Sequence, residues 1–357
     1  MCLKNNIRQQ KYMRYYVFAI PLPFSIEKYK LGQLYMVARS TLEESSKKSS
    51  DGFEILKNEP YTRTLPSGQE ESGIYTFKLL HLSKMVPKAI ANLIPKKGLK
   101  MEETCYNAFP HTVTSYHNPG YPDKLAMSVE TWVYSAPKNA SYAETFDLPE
   151  EVRKSIPESF TLEKKDKESL KKDKEALKER KDTEDISKLE FAEAKGGVIE
   201  RVYCDVTQPL KIDKKKEAKE KKLAAKENRE APKALSEGPL KADIKRISKE
   251  NNGDHCIVYK ILKVHTAFPG EKLIEGILGK KMESVFTETH KKCCIWWDEW
   301  KGMTMDDIKK MENDAAEALK RTIAEREAAN NDSKEEESTG DDDDDEVVED
   351  ADKADDK

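Results

Sequence analysis

"DKLAMSVETWVY", residues 123–134, decides the fold. Leu125, Met127, Val129, Thr131 and Val133 occupy every second position, the period at which a strand sends side chains to one face. Such a strand needs partners and a covering layer. Runs rich in aromatic and β-branched residues recur at 15–23, 53–58, 73–82, 101–109 and 112–117 before it, and at 197–206 and 254–268 after it. Strands in series favour a mainly antiparallel sheet with one face to fill.

The covering layer is legible as three helices. Ser25 starts the first, with Ile26, Tyr29, Leu34 and Val37 as its apolar set and Gly32 inside it. The second carries Ile274, Leu278, Met282, Val285, Thr289 and Cys293 at helical spacing. The third begins in "MTMDDIKKME" (303–312), where Thr304 caps and Asp306 and Asp307 face the positive helix end. Its stripe is Ile308, Met311, Ala315, Leu319 and Ile323. The fold class is therefore α+β.

The chain has 357 residues, 36% of them charged and 37% hydrophobic, but the charge is uneven. Lys and Glu dominate 160–190 and 212–230, and "DDDDDEVVEDADKADDK" (341–357) is almost wholly acidic. Such segments bury too little apolar surface to offset the entropy of ordering. The remainder suits one domain. It covers 1–330, interrupted by a charged insert at 137–196 and a Lys/Glu-rich segment at 208–240, and is followed by a disordered tail at 331–357. In the insert, Glu163 with Lys167 and Glu168 with Lys172 support a solvated helix.

The formal net charge of -4 arises largely from the tail and says little about partners of the folded part. The Lys-rich "KIDKKKEAKEKKLAAKENR" (211–229) carries interleaved glutamates and no stacking aromatics, so no nucleic-acid partner is expected. Cys2, Cys105, Cys204, Cys256, Cys293 and Cys294 form neither CxxC pairs nor a dense framework, which favours a reducing compartment. No run approaches the ~18 apolar residues of a spanning helix, and no cleavage site follows the N-terminal apolar run. A cytoplasmic protein that touches membranes transiently is the expectation, and a monomer the default.

Enzyme signatures are missing: no Gly-rich phosphate loop, no GxSxG, no HExxH. His290 with Cys293 and Cys294 is the nearest metal-like set, but it lacks a fourth ligand and Cys293 belongs to the apolar stripe. Core packing is the better reading, so no metal and no cofactor are expected. In "MVPKAIANLIPKKG" (85–98), Ile90, Leu93 and Ile94 lie between two prolines, ahead of Lys96 and Lys97. That pattern suits either a loop dipping into an anionic membrane interface or a short core helix. Three of the four tryptophans fall in "CCIWWDEWKGMTMDDIKKME" (293–312), where packing is favoured over membrane anchoring.

Taken together, "KYKLGQLYMVA", "NEPY", "YTFKLLHL", "CYNAFPHTVTSY", "VETW" and "WWDEWKGMTMDDIKKME" resemble, in order, the class I phosphatidylinositol transfer proteins. The resemblance runs over residues 12–328, leaving out the charged insert and the tail. It implies a START-like helix-grip fold, a curved sheet enclosing one phosphatidylinositol or phosphatidylcholine as cargo, exchanged between membranes without covalent chemistry. Residue by residue, it implies inositol contacts at Thr76, Lys78, Asn107 and Glu312, and lipid-phosphate contacts at Gln33, Thr114, Thr131 and Lys260. Buried Lys, carboxylate, amide and hydroxyl groups can each pair with an inositol hydroxyl.

The chain departs from the family where animal members carry two tryptophans in a membrane-touching loop. It reads "HTAFPGEK" (265–272), leaving Phe268 as the membrane contact there beside Ile90, Leu93 and Ile94. On this reading the Trp cluster joins the two closing helices and positions Glu312 against the cavity. An alternative makes the chain a lipid-sensing scaffold whose insert and tail recruit a partner such as a lipid kinase.

Overall fold

The computed structural model describes residues 14–45, 53–65, 68–81, 100–122, 124–137, 142–156, 189–190, 199–208, 241–268 and 271–338, with positions 218, 222, 225 and 226. The strands are β1 (Arg14–Leu22), β2 (Phe53–Thr64), β3 (Glu70–His81), β4 (Lys100–Ala108), β5 (His111–His117), β6 (Leu125–Ala136), β7 (Leu189–Glu190), β8 (Ile199–Tyr203) and β9 (His255–Thr266). The helices are α1 (Ile26–Ser45), α2 (Tyr142–Thr145), α3 (Glu150–Lys154), α4 (Lys241–Glu250), α5 (Glu271–Ile295), α6 (Trp297–Trp300) and α7 (Met305–Ser338).

Among the described residues one sheet runs β2-β3-β4-β5-β6-β9-β1-β8-β7. Every described pairing is antiparallel except β1 with β8. β2 through β6 form a meander, while β9 returns from far along the chain to lie between β6 and β1. The fold is α+β, with the strand that the alternation at 125–133 implied, and START-like, as the family resemblance implied.

Opposed residues of an antiparallel pair share a face, and the two faces here bury different things. Toward one lie Tyr16, Phe18, Val129, Val258 and Leu262, packed with Phe286 and Cys293 of α5 and with Tyr29 and Tyr35 of α1. Toward the other lie Tyr15, Val17, Ile257, Tyr259 and Ile261. That outer face is covered by Phe146, Leu148, Val152 and Ile156. Residues 142–156 thus pack as core, although they fall inside the range read as a charged insert. Their apolar positions are too sparse to stand out from the charge around them.

Two further details differ from expectation. Val37 is 49% exposed, so the buried face of α1 is carried by Tyr29, Tyr35, Met36 and Ala38 instead. α7 continues through Ser338, over the first eight residues of the tail expected at 331–357; nothing in that stretch breaks a helix before Gly340. The readings made for Ile90, Leu93, Ile94 and the Glu/Lys pairs of 163–172 lie outside the described residues.

α5 crosses the inner face closely because of one glycine. A Cβ on Gly279 would stand 2.1 Å from the Tyr16 ring, whereas one on Gly276 would meet only the tip of Arg14 at 3.2 Å. The Tyr16 hydroxyl also donates to the Glu275 carbonyl at 3.1 Å, fixing the ring. Ala improves helix propensity by up to ~1 kcal/mol, but overpacking a fixed ring costs about 1–3 kcal/mol. Gly279→Ala is therefore expected to lower the denaturant midpoint and Gly276→Ala to leave it unchanged or raised. Equal effects from both would contradict this account.

Candidate functional site

The strand register gathers the sequence-predicted residues onto one surface. Thr76 opposes Cys105, which opposes Thr114, then Val129 and Leu262. One row along, Lys78 opposes Glu103 and then Tyr116. On the other side, Asn107 opposes Thr112, then Thr131, then Lys260. These rows lie two residues apart on each strand, so all of them point to the inner face. Leu262 belongs to the core under α5, which fixes that face as the helix-covered one.

Packing along the face changes across the sheet. On β1 and β9 the inner residues are buried except Arg14 and Lys260, which are half-buried. On β3, β4 and β5 the matching residues Thr76, Lys78, Glu103, Cys105, Asn107, Thr114 and Tyr116 remain half-buried. Burial nonetheless pushes the Cys105 thiol up and the Tyr116 phenol well above its usual value. Side chains that keep accessible surface yet are desolvated are not on an open exterior.

Lys260 has the most unusual surroundings. Its Nζ donates to Thr131 Oγ1 at 3.1 Å and lies 5.0 Å from the centre of the Phe286 ring. No carboxylate pairs with it among the described residues. Desolvation lowers its pKa to about 8, because taking an ammonium out of water disfavours its charged form.

The other polar groups find partners that the sequence alone did not supply. Lys78 Nζ donates to Glu103 Oε1 at 2.9 Å, and Asn107 Oδ1 accepts from Thr112 Oγ1 at 3.0 Å. Glu103, Tyr116, Cys105 and Thr112 were missed. Positions 103, 105 and 107 alternate along β4, so their shared face was readable, but their partners depend on register, which a sequence does not print.

Glu312 sits on α7, which packs against α1 and touches β2 at the sheet edge. Thr304 and Asp307 start that helix reciprocally: Thr304 N donates to Asp307 Oδ2 at 2.8 Å and Asp307 N to Thr304 Oγ1 at 3.2 Å. Glu312 is half-buried with no hydrogen-bond or ion-pair partner among the described residues. Desolvation raises its carboxyl pKa, against a smaller opposing pull from Lys309. Gln33 is also half-buried, on α1. Neither touches the sheet residues through a described hydrogen bond, so the helices hold two of the set and the sheet six.

Phe268, expected as a membrane contact, lies packed against the protein in this structure. It is 8% exposed, with its ring edge-on to Tyr121 at 5.5 Å and beneath Lys124 at 5.7 Å. An aromatic next to Pro269 reads as an exposed loop tip, but Tyr121 in the β5–β6 connection supplies an apolar wall that the sequence places 147 positions away. His290, by contrast, has both ring nitrogens occupied inside the core. Nδ1 donates to the Phe286 carbonyl at 2.7 Å, leaving Nε2 to accept from the Tyr29 hydroxyl at 2.8 Å. Burial holds it neutral, with a pKa lowered to about 3.

The sequence pattern of the phosphatidylinositol transfer protein family matches residues 13–210 and 165–317. The chain belongs to that family. It is 29% identical over 315 residues to phosphatidylinositol transfer protein 1 of Dictyostelium discoideum, covering 87% of this chain and 96% of that protein. It is 25% identical over 306 residues to the beta isoform of phosphatidylinositol transfer protein of Bos taurus, covering 85% and 92%. Protein retinal degeneration B of Drosophila melanogaster is 28% identical over 312 residues, but these make up only 21% of that longer protein. No helix among the described residues is long and apolar enough to cross a membrane.

Proposed function

We propose that the chain holds one phosphatidylinositol or phosphatidylcholine molecule between its sheet and helices, and exchanges it between membranes without covalent chemistry. The observation that carries this is Lys260, a desolvated cation with a hydroxyl and an aromatic ring beside it but no counter-ion among the described residues. A lipid phosphate supplies the missing charge through a charge-assisted hydrogen bond, and Thr131, Thr114 and Gln33 add neutral partners. Both headgroups share that phosphate, so this end of the site does not distinguish them.

Discrimination falls to Thr76, Lys78, Asn107 and Glu312. An inositol ring offers hydroxyls to each, while a choline offers none. A desolvated carboxylate without a partner, as Glu312 is among the described residues, costs free energy until something donates to it. The energetic purpose is to keep the acyl chains dry: on the order of 30 methylenes at ~0.8 kcal/mol each would cost as much as ~24 kcal/mol if fully exposed.

The test is mass spectrometry of lipid extracted from gently purified wild type, Lys78→Ala and Glu312→Ala. Wild type is expected to carry phosphatidylinositol with phosphatidylcholine, and each variant mainly phosphatidylcholine. Losing a hydrogen bond to a buried charged group costs ~1.5–3 kcal/mol, a shift of about ten- to a hundred-fold in preference. If the variants keep phosphatidylinositol in the wild-type proportion, the inositol assignment fails. If no phospholipid is recovered from any of them, the carrier reading fails.

A further inference from the structure

A groove of about 310 Å³ opens where the first turns of α5 lie against β1 and β8. It lies at the opposite side of the sheet from Thr76 and Lys78, with β4, β5, β6 and β9 in between. Its lining includes Arg14, Glu200, Lys272, Leu273, Ile277 and Lys280. Glu283 adds a second carboxylate to the lining. Arg201 borders it too, but its guanidinium lies over the Phe146 ring, 5.8 Å from the centre.

The charges in this groove are unequally committed. Arg14 is held in place: it pairs with Glu200, donates from Nη1 to the Lys272 carbonyl at 3.3 Å, and lies 5.3 Å from the Tyr16 ring centre. Its buried Nε has no hydrogen-bond partner among the described residues. Glu200 is thereby spent on Arg14. Lys272 and Lys280 are exposed, and neither has an ion-pair partner among the described residues. Between them on the same helix, Leu273 is 64% exposed and Ile277 half-buried. Cations around an apolar step suit an amphiphile better than a free ion.

We propose that this groove is a second, peripheral lipid site, which takes the phosphate of an anionic phospholipid in a membrane while Leu273 enters the interface. The pocket is of a size for one headgroup. The free lysines supply attraction to negative phosphate at a membrane surface, and an exposed leucine beside them supplies apolar insertion. An acidic peptide would use the lysines but leave Leu273 without a role. The proposal deepens the exchange reading, since a carrier must meet membranes, and it assigns that contact to residues other than the buried Phe268.

Vesicle sedimentation tests it, using phosphatidylcholine vesicles with and without phosphatidic acid, on wild type and Lys272→Gln/Lys280→Gln. Each lysine near an anionic surface is worth ~1 kcal/mol, so the double variant is expected to lose about thirty-fold in affinity for the acidic vesicles. Its binding to neutral vesicles should be unchanged, and Leu273→Ser should weaken binding to both. Titration with inorganic phosphate is expected to show far weaker binding than the acidic vesicles, because a free ion gains nothing from Leu273. Wild-type affinity of the double variant for acidic vesicles would overturn the proposal, as would a loss seen only toward an acidic peptide. Extracted cargo separates the two readings: an empty wild type sinks the carrier reading, whereas the vesicle preference stands or falls with the lysines.

Discussion

Lys260→Met is expected to stabilise the empty protein and to abolish retention of both phosphatidylinositol and phosphatidylcholine. The side chain is desolvated, its ammonium meets Thr131 Oγ1 and the Phe286 ring with no carboxylate partner among the described residues, and its pKa falls from 10.5 to about 8. One pKa unit corresponds to ~1.36 kcal/mol, so the charged lysine costs the empty fold about 3 kcal/mol at neutral pH. Methionine has similar length, keeps the contact with Phe286 and carries no charge. Thermal or urea unfolding of lipid-stripped protein measures the gain, and mass spectrometry of extracted lipid measures the loss.

The pH dependence has a definite sign. Below about pH 8 Lys260 is protonated in both folded and unfolded chains, and the empty fold carries the full penalty. As pH rises from about 8 towards 10.5 the folded state releases its proton first, so the unfolded state binds more protons and stability increases. Lys260→Met should remove that rise. A bound phosphate should also remove it, by favouring the ammonium. Loaded wild type that shows the same rise as empty wild type would mean that Lys260 does not meet the phosphate.

This tension between stability and binding explains why parts of the site were legible and others were not. Thr131 could be assigned to the inner face from the alternation of 125–133, because that property belongs to one strand. That Lys260 lies opposite Thr131, and Asn107 near Thr112, depends on how β9 and β5 are aligned with their neighbours. Alignment is set by the whole sheet. Glu312 marks the same limit from the helix side. Its place beside Met311 at the edge of an apolar stripe was periodic and readable, but that it finds no partner among the described residues is a property of what α7 packs against. The cover of the outer face by Phe146, Leu148, Val152 and Ile156 escaped a composition-based reading because four apolar residues are enough to seal a patch that two helices of four and five residues span.

Trp300→Ala is expected to be the most destabilising single change at the helix junction. Trp300 is wholly buried, 5.5 Å from Phe24 and 4.8 Å from Trp297 between ring centres, and a Cβ on Gly32 would come within 2.8 Å of its ring. α1 therefore approaches the junction as closely as it does because position 32 has no side chain. The indole Nε1 also donates to the Cys293 carbonyl at 2.9 Å, near the end of α5, where helix carbonyls lack intrahelical partners. Truncation opens a cavity, typically ~3–5 kcal/mol for an aromatic, and strands a buried acceptor at ~1–3 kcal/mol. Trp300→Phe isolates the smaller effect, because it keeps most of the ring volume and loses the hydrogen bond. The consequence should reach the site, since α7 starts at Met305 and carries Glu312 about two turns further on. Trp300→Ala should accordingly lower the urea midpoint and, on the proposed assignment of Glu312 to the inositol headgroup, release phosphatidylinositol before phosphatidylcholine. A variant within about 1 kcal/mol of wild type, a loss ordinary for a single substitution, would show that the tryptophan cluster does not fix this junction.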